Sequence, residues 1–148
     1  METRKAVKHW VVKYPKRTPG WDDININSIE FYVDFTEPKE IIQIIKENNP
    51  RFINIIREIF KDSPRKQYYK PIKNCNNVTE MIFPGKPNPR IICKEIKANS
   101  TPLKIIMCKG LSNKGTTTKS TQDIFKHTEK HKFEFYQNIQ EYERTSKR

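Results

Sequence analysis

Cations are the chemistry this sequence holds in excess. Its 148 residues carry 29 Lys and Arg against 17 Asp and Glu, a net charge of +12 at pH 7. A surface of that sign suits polyanions: nucleic acid, a ribosome, an anionic membrane or an acidic protein. Groups able to exchange a proton near neutrality are few. His127 and His131 stand four apart in a segment read as helix, so they share a face. Either could act as a general acid or base, or touch RNA; the plain alternative is a pair of helix-surface histidines. HTEKH is not the HExxH pattern, and no third ligand accompanies it, so no metal or other cofactor is expected. Cys75, Cys93 and Cys108 are odd in number and widely spaced, which makes neither a disulfide framework nor a zinc signature. A reduced, cytoplasmic setting is expected.

The elements that must position these groups follow from apolar patterning. Residues 1–28 read as a basic N-terminal arm. Within it AVKHWVVKY could form a short strand, and Trp10 and Trp21 suggest docking on the body. IEFYVDF (29–35) is aromatic and β-branched, a strand. Thr36 then offers an N-cap and Pro38 a first-turn proline. Ile41, Ile42, Ile44 and Ile45 give a first helix its apolar side, and Asn48-Asn49-Pro50 ends it. A second helix carries Phe52, Ile53, Ile55, Ile56, Ile59 and Phe60. Three strands follow, Val78–Phe83, Arg90–Lys97 and Lys104–Leu111, and their short turn-rich links imply antiparallel neighbours. Residues 121–142 read as a final helix, with Tyr136 on its apolar side, and 143–148 as a frayed basic tail.

The order β-α-α-β-β-β-α predicts an α+β fold, an antiparallel sheet with helices packed on one face. No apolar run approaches the ~20 residues of a membrane helix, so no membrane association is expected. The N-terminal segment lacks the long apolar stretch of a secretory signal.

In this order, residues 29–142 resemble the RelE/ParE superfamily of toxin–antitoxin toxins, and within it the HigB-like branch. Val78-Thr79-Glu80-Met81-Ile82 sits where that family has an apolar strand containing a Glu. Pro89-Arg90-Ile91-Ile92 resembles its "YRI" strand start, with Pro89 in place of the aromatic. Ile105 to Lys114 resembles its "LLHGFxKK" segment, with Cys108-Lys109-Gly110-Leu111 for "HGF" and its flanks and Asn113-Lys114 for the lysine pair. Thr116–Ser120 and the helix after it match the closing loop and helix.

The resemblance implies an endoribonuclease that cuts messenger RNA on the ribosome and is neutralised by a cognate antitoxin protein. In such a reaction the RNA supplies its own 2′-hydroxyl nucleophile. The protein orients it and stabilises charge on the phosphorane and leaving group, without a metal. Arg90 matches the family's arginine, and its planar guanidinium suits a phosphate. Lys114 matches the second lysine of the pair, in a Gly- and Thr-rich loop where backbone can approach RNA. These two are the implied catalytic residues. Lys86, Lys109 and Lys119 are expected to hold RNA phosphates, and Tyr136 to pack in the core or stack on a base. Glu80 matches a family Glu, with a salt-bridge partner as its plain reading. The strand that precedes Arg90 offers no cation, unlike family members that cleave actively. Two alternatives therefore stand beside the nuclease: a ParE-like gyrase poison and a non-catalytic RNA- or ribosome-binding module.

Overall fold

The computed structural model describes residues 3–13, 28–60, 64–83, 88–97, 103–112 and 119–146. Seven strands form one sheet: β1 (Thr3–Lys13), β2 (Ser28–Asp34), β3 (Tyr69–Pro71), β4 (Val78–Ile82), β5 (Arg90–Ile96), β6 (Leu103–Leu111) and β7 (Lys132–Tyr136). Four helices accompany them: α1 (Pro38–Glu47), α2 (Asn49–Ile59), α3 (Lys119–Lys130) and α4 (Ile139–Ser146). The strand order across the sheet is β3-β4-β5-β6-β2-β1-β7.

The central part follows the expected succession of a strand, a helical hairpin, three antiparallel strands and a helix, with one short strand, β3, added before the three. Asn48 separates the hairpin's two helices, and Pro50 sits in the first turn of α2, where its missing N–H costs nothing. One face of the sheet, with Phe31, Val33, Ile91, Cys93, Ile105 and Met107, packs on Ile41, Ile44, Ile45, Phe52, Ile55 and Ile59 of the hairpin. Burial of each such side chain is worth about 1.5–3 kcal/mol, and this layer is the main core.

Four expectations are corrected. The sheet is mixed, because β2 runs parallel to β6 and β1 parallel to β7. Helices cover both faces: Phe125 of α3 packs with Val78 and Ile92 on the face opposite α1 and α2. The strand and docking expected of the N-terminal arm are present: Thr3–Lys13 lies inside the sheet between β2 and β7, and Trp10 packs on Phe52. The final helix is two helices with a strand between them. Phe133 and Phe135 alternate and bury on one side, a period-two pattern. Last, the tail expected to fray is helical through Ser146.

The cap of α1 also differs. Its N-cap is Glu37, with no side-chain cap bond. Thr36 instead donates its backbone N–H to Asp34 Oδ1 at 2.9 Å. Trp21 lies outside the described residues.

Candidate nucleic-acid interface

Arg90 opens β5 and points to the α3 side of the sheet. The strand register sets it opposite Ile82 on one neighbour and Leu111 on the other. Its side chain is 15% exposed, and Nη1 donates to Glu80 Oε1 at 3.1 Å. Glu80 is fully buried. Lys70 Nζ also approaches that carboxylate oxygen, at 3.8 Å. With the Asn88 amide turned so that its nitrogen donates to the Phe83 carbonyl, its oxygen accepts from Arg90 Nη2 at 2.9 Å. The remaining donor, Nε, is buried without an acceptor among the described residues. Arg90 is therefore anchored in the protein, with a carboxylate holding the plane of its guanidinium.

Beside this pair lies a groove of about 470 Å³ lined by Lys70, Lys73 and Lys126, with Glu80, Gln122, Asn74 and Phe125 among its walls. Three elements build it. β3 supplies Lys70, the β3–β4 turn supplies Lys73, and α3 supplies Lys126. The turn is tight because Asn74 and Asn77 take positive φ, 68° and 62°. Asparagine tolerates that region better than other residues with a Cβ. Among the described residues Lys73 and Lys126 have no carboxylate within ion-pair range. A polyanion entering here would meet two unneutralised ammonium groups and a third already shared with Glu80.

The expected site residues scatter. Lys114 and Lys86 lie outside the described residues, as does the side chain of Lys119. Lys109 forms an ion pair with Glu37. His127 is exposed on α3. His131 is not its helix partner but the residue between α3 and β7, half-buried, and burial together with the nearby Arg4 lowers its pKa to about 4. Of the two roles expected for Tyr136 the structure shows core packing: it is 4% exposed, its ring packs on Tyr142, and its hydroxyl donates to Glu134.

Lys70, Lys73 and Lys126 were not singled out in the sequence. The KPIK run at 70–73 carries a local signal, a basic stretch beside a proline. Lys126 carries none, because only the packing of α3 brings it to that turn. Cys93 and Cys108 are buried, and burial pushes both thiols well above their ordinary range, so neither is a thiolate nucleophile. Among the described residues no three His, Cys, Asp or Glu side chains gather as a metal site, and no helix is long and apolar enough to cross a membrane.

Comparison with protein-family models, curated proteins and solved structures gave no match to the chain.

Proposed function

We propose that this chain is a RelE-like toxin that binds messenger RNA on the ribosome and cleaves it by attack of the RNA's own 2′-hydroxyl. The observation that carries the reading is the groove lined by Lys70, Lys73 and Lys126 and by Glu80, whose carboxylate anchors Arg90. Free lysines attract and hold phosphates, and a guanidinium fixed by a buried carboxylate needs little reorganisation to face one. Two further features support it. From β2 to α3 the elements run in the expected order apart from one added short strand, β3. The register places Arg90 opposite Leu111, three residues before Lys114 in the chain. The partner in this reading is an antitoxin that covers the basic face, where its own acids would neutralise part of the +12 charge.

A second reading, RNA binding without cleavage, draws on one specific observation. Arg90 and Lys109 are each already paired with a carboxylate, Glu80 and Glu37. A cation so engaged has less to give a phosphorane.

A translation extract programmed with a reporter messenger separates the two, with new 5′ ends mapped by primer extension. The nuclease reading expects cuts within the codon at the A site. Arg90→Lys should abolish them without loss of the fold, because a lysine keeps the charge beside Glu80 but not the planar fork. The triple variant K70A/K73A/K126A should weaken RNA binding by roughly tenfold or more, at about 0.5–1 kcal/mol per exposed phosphate contact. RNA bound with no cut ends would leave the second reading standing. No RNA binding near physiological salt would remove both.

A further inference from the structure

A second cavity lies at the other end of the sheet. Its volume is about 460 Å³, and it is lined by Thr3, Arg4, Lys5, Phe35, Thr36, His131 and Tyr142. Those residues come from the start of β1, the turn after β2, the α3–β7 junction and α4. Much of this wall belongs to β1 and α4, and the groove beside Arg90 shares no residue with it.

The cavity is built, and Lys5 is its one cation without a carboxylate partner among the described residues. Asp34 is fully buried behind it and accepts from Arg4 Nε and from the Thr36 N–H. The Phe35 N–H donates to the Lys5 carbonyl at 2.9 Å, which ties the turn to the start of β1. Arg4 is thus held by one edge, while among the described residues its Nη atoms have no acceptor. Among the described residues Lys5 has no carboxylate partner and no acid lines the cavity. The hydroxyls of Thr3 and Thr36 add donors, and the His131 ring adds another polar edge.

One wall is aromatic. Phe35 and Tyr142 are each partly exposed, with ring centroids 5.0 Å apart and planes inclined at 67°. Two rings so inclined form a corner in which a flat heterocycle can stack on one and meet the edge of the other. The volume falls within the roughly 300–1,000 Å³ typical of small-ligand sites.

We infer that this cavity binds a nucleoside monophosphate unit, with the phosphate at Lys5 and the base against Phe35 and Tyr142. The inference does not depend on whether the chain cuts RNA. The unit could arrive as a free nucleotide or as part of a single strand, and the ligand arms below distinguish these sources.

The full chain would be titrated calorimetrically with UMP, AMP, inorganic phosphate and a six-nucleotide single-stranded RNA. At least one nucleotide-bearing ligand should saturate, about tenfold or more tighter than phosphate, the factor one stacked base contributes. Saturation by UMP or AMP assigns the free nucleotide; saturation by the RNA alone assigns the strand. Lys5→Gln and Tyr142→Leu should each weaken that binding severalfold, whereas Lys66→Ala, exposed before β3 at the far end of the sheet, should not. Tyr142→Leu keeps an apolar contact for α4. Should it nevertheless unfold, Lys5→Gln decides. Equal affinity for phosphate and nucleotides overturns the proposal. So does the absence of saturation by any nucleotide-bearing ligand at millimolar concentration, or binding that ignores Lys5→Gln.

Discussion

Two carboxylates, Glu80 and Asp34, are fully buried, and each holds an arginine: Arg90 on β5 and Arg4 on β1. A buried ion pair adds little net stability, but removal of one partner strands the other's charge, at about 3–5 kcal/mol. Arg90→Ala should therefore destabilise the fold on that order, somewhat relieved by Lys70, and urea midpoints would show it. Loss of RNA cleavage in that variant would not by itself identify a catalytic group, which is why Arg90→Lys is the informative change. His131 carries a second residue-scale prediction. Burial lowers its folded pKa from 6.5 to about 4, with Arg4 on β1, Lys94 on β5 and His127 on α3 adding to the shift and Asp34 on β2 opposing it. Between those two values the unfolded chain binds a proton that the folded chain refuses, so stability falls as pH drops from about 6.5 to 4 and the penalty is constant below. His131→Asn should flatten that part of the profile relative to the parent in urea melts at pH 4.5 and 7.

At the scale of elements, close approach of α1 to the sheet depends on one glycine. A Cβ built on Gly110 would stand 3.0 Å from Ile44 Cδ1, 3.1 Å from Ile41 N and 3.2 Å from the Glu40 carbonyl carbon. The isoleucine methyl can move, but the helix backbone cannot move without the hairpin. Gly110→Ala should cost roughly 1–3 kcal/mol, the usual range for overpacking, read as a lowered thermal midpoint. The sequence places Gly110 in the strand Lys104–Leu111, and it is buried there in β6. Lys94 is the corresponding device for α3. Its Nζ donates to the carbonyls of Glu129 and His131, at 2.8 and 2.7 Å, and so ties the end of the helix to β5. The strands missed were short or misread. β3 is only Tyr69–Pro71, too brief to show alternation. β7 was absorbed into a helix because the aromatic spacing around residue 135 also fits a helical face.

At the scale of the molecule, the seven-stranded sheet separates two basic cavities, one against α3 beside β3 and β4, the other between β1 and α4. Single-stranded RNA held by about three lysines should release counterions on binding, so log K should fall against log salt with a slope near −2. Filter binding from 50 to 200 mM salt should then show roughly a 15–20-fold loss. A flat salt response would mean that the +12 charge is not what holds the RNA. The antitoxin of the proposed reading should compete for the same lysines and suppress the binding when added in excess.

Composition, charge and periodicity by themselves determined the α+β class, the helical hairpin with its break at Asn48, three antiparallel strands within a residue of their bounds, and the basic character that points to nucleic acid. Each of these is written in local pattern: a run of isoleucines at helical spacing, a proline after two asparagines, an excess of lysine. Tertiary structure alone decided the parallel pairings of β1 and β2, the placement of α3 over the opposite face, and which cations are engaged. Arg90 and Lys73 look alike as letters in a chain. One is drawn into a buried pair because Glu80 lies on the neighbouring strand, and the other stays available because the turn holds it at the groove's edge. Charge neutralisation depends on distances between residues far apart in sequence, and only the folded sheet sets those distances.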